Sequence, residues 1–161
     1  MKNGDAMTTI ESIVVLFAIL GCGITYGTDA FAAIVWNRSL QHLNPAEMTK
    51  VIGWVHFHGD RRLPIPGAIG TVAITLSAIL SFVQVEIGTG ILRAVAALFA
   101  FAWLGLYVRI AKPINEEFSN AALEGEILQN ASVLHAKWNR IIIPRVLLQG
   151  VVIGLAALSL V

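Results

Sequence analysis

The chain has 161 residues, 57% of them apolar and only 13% charged, with a formal net charge of +1. Water-soluble domains carry about 45–50% apolar and about 25% charged residues, so this composition excludes an ordinary soluble domain. A near-neutral balance without a basic cluster excludes a nucleic-acid surface, and a single cysteine, Cys22, excludes an internal disulfide.

Crossing about 30 Å of hydrocarbon takes about 20 mostly apolar helical residues. Four stretches meet that length: residues 12–36, 65–85, 91–110 and 141–161. Helices are expected because lipid satisfies no backbone polar group and long unbroken apolar runs suit helices. The expected fold is all-α, one transmembrane domain over residues 1–161. It is an integral membrane four-helix bundle with amphipathic helices in its cytoplasmic connections.

The first stretch follows Lys2, Asp5 and Glu11, and its apolar run is too long for the core of a signal peptide, so it is read as a span. Cys22 lies inside it as a small core- or lipid-facing residue. Asp29 lies nearer its far end. A carboxylate in a membrane helix is expensive and usually has a partner in a polar interior. Two readings follow: a proton-handling or substrate-contacting group, or a structural pair with Arg145 or Arg109. Gly23-x-x-x-Gly27 in this stretch and Gly150-x-x-x-Gly154 in the fourth permit close helix approach. Packing within one bundle is the first reading of that spacing, and dimerisation is the second.

In the connection over residues 37–63, Asn44 caps a helix that opens on Pro45. That helix is expected from Ala46 to about Phe57, with Val51, Trp54 and Val55 on one side and Trp54 and Phe57 at a membrane interface. The cluster His56-x-His58-x-Asp60-Arg61-Arg62 follows. Two residues apart, the imidazoles share a side of an extended segment but diverge by about 200° on a helix. His56, His58, Asp60 and His135 are the candidate ligands of a mixed His/carboxylate metal centre, with His42 and Glu116 as further donors. Neither HExxH, CxxC nor Glu-x-x-His is present. Interface residues reading lipid headgroups are the competing reading. Haem held by two axial histidines is a third, weakened because all four histidines lie outside the spans.

The second span opens on Pro64 and Pro66. A short Gly-rich link over residues 86–90 makes spans two and three a hairpin. Pro113 is expected to break the chain away from span three. From Glu116 onward Ile127, Ala131, Leu134 and Trp138 recur at helical spacing, which predicts an amphipathic helix running into span four. Pro144 kinks or starts that span. Trp138 and Arg145 are seven apart, two turns along one face. An aromatic wall with a guanidinium suits a planar, electron-rich or anionic substrate. An interfacial Trp with a snorkelling Arg is the plainer alternative.

Basic residues set the orientation. Arg38, Lys50, Arg61 and Arg62 lie between spans one and two. Arg109, Lys112, Lys137, Arg140 and Arg145 lie in or beside the link between spans three and four, and the opposite side holds only Lys2 and Arg93. The expectation is a protein of the bacterial inner membrane with cytoplasmic long loops and both termini outside.

Four spans, Pro113-Ile114-Asn115 after the third, and Trp138-Asn139-Arg140 followed by Arg145 entering the fourth together resemble the anthrone oxygenase-like family of small membrane proteins. The resemblance covers most of the chain through short motifs. Where that family often carries a His between the Trp and the later Arg, this chain has Ile142, and His135 is the nearest substitute. The resemblance implies an oxidoreductase, an oxygenase that turns a lipophilic activated aromatic such as an anthrone into a quinone with molecular oxygen and no evident cofactor. Asp29, Asn115, His135, Trp138 and Arg145 are then the candidate catalytic residues. His135 or Asp29 is the base, Trp138 a stacking wall, and Arg145 and Asn115 stabilise an anion. A non-catalytic membrane subunit or assembly factor, as a homo-oligomer or within a larger complex, is the alternative. A proton-coupled transporter using Asp29 comes third, because inverted repeats are not evident.

Overall fold

The computed structural model describes residues 3–161, with side chains from Thr9 onward. Lys2 and the side chain of Asp5 lie outside the described residues. Every regular element among those residues is a helix. Helix α1, Asn3–Phe31, continues through a π-helical turn, Ala32–Trp36, into the short α2, Asn37–Leu40. Helix α3 is Pro45–Arg62, α4 is Pro64–Val83 and α5 is Ile87–Leu106. A second π-helical turn, Tyr107–Ala111, leads into α6, Lys112–Glu124. Helices α7, Ala131–Asn139, and α8, Ile142–Leu158, complete the chain. Four helical stretches are long and apolar enough to cross a membrane: Thr9–Leu40, Pro64–Val83, Ile87–Glu124 and Ala131–Leu158.

Local chemistry explains where these elements begin and end. Asn44 Oδ1 accepts from the Glu47 amide at 3.0 Å, and Glu47 Oε2 accepts from the Asn44 amide at 2.9 Å, so a reciprocal capping box starts α3. The helix then runs to Arg62, past the expected end at Phe57. Its buried face is Met48, Thr49, Ile52 and Gly53, while Val51, Trp54 and Val55 are exposed. Gly53 decides this face, because a Cβ there would collide with the Phe118 backbone and the Ala122 side chain of α6.

Three expectations about connections are corrected. Pro113 does not end the third span; it sits in the first turn of α6, in a continuous helical stretch. The π-helical turn just before it widens the helix where the proline ring would otherwise meet the preceding carbonyl. The amphipathic helix expected from Glu116 to Arg140 is two helices. Gly125, at φ +72°, caps α6 in the left-handed conformation that glycine adopts at little cost. Ile127 then falls outside any helix and is exposed, whereas Ala131 and Trp138 are buried. The hairpin link is also tighter than residues 86–90: α5 already begins at Ile87, and Val85 turns the chain at φ 63°. Gly90 is therefore helical, and its missing side chain makes room for the Phe82 ring, which a Cβ would approach to 2.9 Å.

The chain forms two compact units. The first comprises Met1–Tyr26, Ile65–Trp103 and Leu147–Val161, and the second Gly27–Pro64 and Leu104–Val146. In the first, Val15, Ala18, Cys22, Ile74, Ala96, Ala100 and Val152 form the core. Its close helix contact lies at Gly21 and Gly70, where a Cβ on Gly70 would stand 2.7 Å from the Cys22 amide nitrogen. The paired-glycine motifs do not serve this purpose. Gly23, Gly27 and Gly154 have nothing within 4 Å of a built Cβ, and Gly150 has only Tyr26 at 3.5 Å. In the second unit Leu40, Met48, Ile52, Ile114, Phe118, Ala131, Trp138 and Ile142 form the core.

Candidate binding site

The second unit gathers most of the chemistry-bearing side chains. Asp29 on α1 and Arg145 on α8 are both buried. Arg145 Nε donates to Asp29 Oδ2 at 3.1 Å and Nη2 donates to Oδ1 at 2.9 Å. This is a two-pronged guanidinium–carboxylate pair, the geometry that arginine provides and lysine does not. Asp29 is thus engaged by Arg145, whereas Arg109 is exposed.

From Arg145 the network extends inward. Its guanidinium carbon lies 5.7 Å from the centre of the Tyr107 ring. The Tyr107 hydroxyl donates to Asp60. Asn115 Nδ2 also lies against that carboxylate, 3.1 Å from Oδ1 and 3.0 Å from Oδ2. Tyr107 belongs to the π-helical turn, whose extra residue resets the facing of the side chains on either side of it. Burial pushes the Asp60 carboxyl above its ordinary range, against the opposing pull of the Asn115 and Tyr107 hydrogen bonds and of the Arg145 charge; Glu116 adds to the rise.

Aromatic rings gather around His56, on the same helix as this carboxylate. His56 precedes Asp60 by four residues on α3, so the two share a face. The His56 ring is 5.7 Å from the Trp138 ring, and His135 stacks on Trp138 at 6.2 Å and 17°. Burial lowers the His56 pKa to about 4, helped by the charges of Arg145 and His135. Its imidazole is therefore neutral at pH 7. Two buried polar atoms here lack any protein partner, the indole Nε1–H of Trp138 and Oδ1 of Asn115. Leaving such an atom unpaired costs about 1–3 kcal/mol, so each calls for an explanation. Asn37 Oδ1 and Gln149 Oε1 are likewise unpaired.

The helical state of α3 separates the histidines. His58 is exposed, 3.2 Å from the Arg62 guanidinium and stacked at 6.0 Å on Trp54. His42 is exposed on the turn after α2. Of the candidate metal ligands, His56 and His135 each take Trp138 as a ring partner and Asp60 takes Asn115, while His58 stands apart. Among the described residues no group of three or more His, Cys, Asp or Glu is arranged to hold a metal ion. The candidate catalytic residues fall into contact in pairs: Asp29 with Arg145, and His135 with Trp138. Asn115 reaches the first pair through Asp60 and Tyr107. The sequence reading did not single out Tyr107. Its signal was faint, a lone phenol two turns before Asn115 with an irregular turn between them.

The first unit holds a second polar cluster that the sequence reading did not assemble. Arg93 Nη1 donates to Glu11 Oε1 and, at 2.7 Å, to Ser81 Oγ. Its Nε donates to Ser159 Oγ at 3.0 Å and its Nη2 to the Ser159 carbonyl at 3.2 Å. Ser81 Oγ donates to Glu11 Oε1 at 2.6 Å, and Gln84 Nε2 donates to Glu11 Oε2 at 3.1 Å. Glu11, Ser81 and Arg93 are all buried. The sequence signal was an acid and a base at the edges of separate apolar runs, each requiring a partner.

No family model, no curated protein and no solved structure matches this chain.

Proposed function

We propose that this is an integral membrane protein of four spans whose Asp60–Trp138 site oxidises a lipophilic, activated aromatic with molecular oxygen, in the manner of the anthrone oxygenase-like proteins it resembles. The observation that carries the reading is Asp60 itself, a carboxylate held by Asn115 and Tyr107 and raised in pKa by burial, one helical turn along α3 from His56, whose neutral imidazole lies against the Trp138 ring. A carboxylate of raised pKa is a stronger base than an ordinary one, which is what removing a proton from an activated ring carbon demands. The base role moves from Asp29, whose two oxygens already serve Arg145, to Asp60, whose carboxylate keeps lone pairs free. Asp60 takes the proton. The resulting carbanion adds oxygen to give a peroxide anion, which recovers that proton. Loss of water leaves the quinone, so one anthrone and one oxygen yield one quinone and one water. Trp138 supplies the stacking face, and Asn115 and Tyr107 hold Asp60. The paired Arg145 stands behind Tyr107 as a positioning residue. Oxygen uptake by the purified protein with an anthrone tests the reading: uptake above the buffer rate, nearly abolished in Asp60→Asn, is expected. Uptake no faster than buffer, together with a partner that co-purifies in fixed ratio, would replace it with the membrane-subunit reading.

The basic residues of the first and third connections support an orientation with cytoplasmic long loops, both termini outside and a bacterial inner membrane as the setting. Cys22, the chain's single cysteine, is buried, so single reporter cysteines introduced in place of Ser132 or Ser159 can be read with a membrane-impermeant thiol reagent. Labelling of the Ser132 position in intact cells would reverse the orientation.

A further inference from the structure

Helix α3 has two sides of opposite character. Met48, Thr49, Ile52 and Gly53 form its buried side, and Asp60 continues that side toward Asn115. On the other side Lys50, Trp54, Phe57 and Arg61 recur at intervals of four, three and four, which makes one stripe, with Val55 and Arg62 beside it. Phe57 is half-buried and the others are exposed, Trp54 at 39% and Val55 at 47%. The Trp54 and Phe57 rings meet edge to face at 5.4 Å. The Arg61 guanidinium lies 3.5 Å over the Phe57 ring, and its Nη1 donates to the Phe57 carbonyl at 2.7 Å. Arg62 Nη1 donates to the His58 carbonyl at 3.2 Å. Each arginine thus turns one arm to its own helix and keeps other guanidinium donors for a further partner. Among the described residues neither stands in an ion pair. The two acids of α3 do not neutralise them, because Glu47 serves the capping box at the opposite end and Asp60 faces Asn115.

The position of this side in the chain says what covers it. Only Leu63 separates α3 from α4, one of the four stretches able to cross a membrane. Where Pro64 enters hydrocarbon, Arg61 and Arg62 stand at headgroup level by chain connectivity alone. Water would leave Trp54 and Val55 unburied, and hydrocarbon would strand three cations. The headgroup layer accommodates both, with aromatic rings at its inner edge and basic groups among the phosphates. A second copy of the chain suits the surface poorly, since a twofold interface would set one basic stripe against another.

We infer that the outward side of α3 docks on anionic lipid headgroups, with Arg61 and Arg62 on the phosphates and Trp54 and Val55 against the upper acyl chains. Asp60, on the opposite side of the same helix, is thereby held at the membrane surface. The inference rests on the four-span part of the reading above and is independent of the oxygenase chemistry.

The test uses the full chain in phosphatidylcholine vesicles that contain a minority of phosphatidylglycerol, with bromine on the acyl chains of one lipid or the other to quench nearby tryptophan. Subtracting the signal of Trp54→Phe isolates Trp54. Quenching of Trp54 should favour brominated phosphatidylglycerol at equal mole fraction, and high salt should reduce that preference. Arg61→Gln with Arg62→Gln should lower the preference by about fivefold for each charge removed. Quenching by brominated phosphatidylcholine should persist in the same variant, which shows that it is still folded and inserted. Lys137→Gln with Arg140→Gln, an equal change of charge on exposed side chains elsewhere, should leave the preference intact. No quenching of Trp54 by either lipid overturns the inference, as does equal quenching by both. An unchanged preference without Arg61 and Arg62, or an equal loss without Lys137 and Arg140, overturns it too. Quenching that rises as the protein is diluted in lipid would assign the surface to a second copy instead. A chain released from vesicles by alkaline carbonate would overturn the four-span reading itself, and oxygen uptake is unaffected by any outcome at Trp54.

Discussion

In the unit of Met1–Tyr26, Ile65–Trp103 and Leu147–Val161, Arg93 directs its donors at Glu11, Ser81 and Ser159, and Gln84 Nε2 donates to the remaining Glu11 carboxylate oxygen. In the unit of Gly27–Pro64 and Leu104–Val146, Asp29 and Arg145 close on each other in the same way, but the contacts continue through Tyr107 to Asp60 and Asn115, whose Oδ1 is unpaired, and Trp138, against His56 of the same helix face as Asp60, keeps an unpaired Nε1–H. Both clusters place charge out of water. A closed buried cluster holds helices in register and gains nothing from a further partner. An open one retains unmet hydrogen-bonding capacity, and that capacity is what a ligand can use. The difference teaches that burial of charge alone does not mark a site; incomplete pairing within the burial does.

The comparison breaks most decisively at Arg93. Arg93→Met leaves the Glu11 carboxylate buried without its cation and should destabilise the fold by about 3–5 kcal/mol, read as a fall in thermal unfolding midpoint. Arg93→Met with Glu11→Gln should recover much of that loss; if the single and double variants unfold alike, the cluster is not a closed pair. In the open cluster the effect should appear in activity instead. Asp60→Asn should lower anthrone-dependent oxygen uptake by about 10²-fold or more with little change in unfolding midpoint. Gly53→Ala tests the packing that brings α3 to α6, and the collision with the Phe118 backbone should cost about 2–3 kcal/mol.

Acid should sharpen the contrast more gently. His56 ordinarily binds a proton near 6.5, but in the fold only near 4. Between those values the unfolded chain holds the extra proton, so stability contributed by neutral His56 is lost as pH falls from about 6.5 to about 4. Asp60 has the opposite sign. Its raised pKa lets the folded chain keep a proton that the unfolded chain releases, so stability falls as pH rises from its ordinary 3.8 through the folded value. His56→Asn should flatten the window between 4 and 6.5 in an unfolding titration. The smallest effect belongs to Val85, a β-branched residue at φ 63° on an exposed turn. Val85→Gly should stabilise the hairpin by about 1 kcal/mol, and an unchanged midpoint would show that the turn relaxes in solution.

Much of the helical plan was legible because its signals are local. Apolar run length located the four long stretches, and Asn44-Pro45 with Glu47 located the start of α3. The Asp29–Arg145 pair was legible as one of two readings, since a carboxylate in an apolar helix requires a partner. The open half of the site was not. Tyr107 gains its place through a π-helical turn that no residue type announces. Asp60 was read as a metal ligand because His56 and His58 looked like a unit, and only the length of α3 separates them. The Gly-x-x-x-Gly spacing pointed to Gly23, Gly27, Gly150 and Gly154, while the tight contact formed at Gly21 and Gly70, because close approach depends on which faces meet.

By itself the sequence determined an all-helical chain with four stretches able to cross a bilayer, the cap of α3, and the need of Asp29 for a cation. Each of these follows from neighbours in the chain or from the cost of polar groups among apolar ones. Only the tertiary structure decided that Arg145 answers Asp29, that Arg93 answers Glu11, and that Trp138 and Asn115 keep one free hydrogen-bonding atom each. Those are pairings between helices far apart in sequence. Their geometry depends on helix rotation and on π-helical turns, and composition and periodicity carry no record of either.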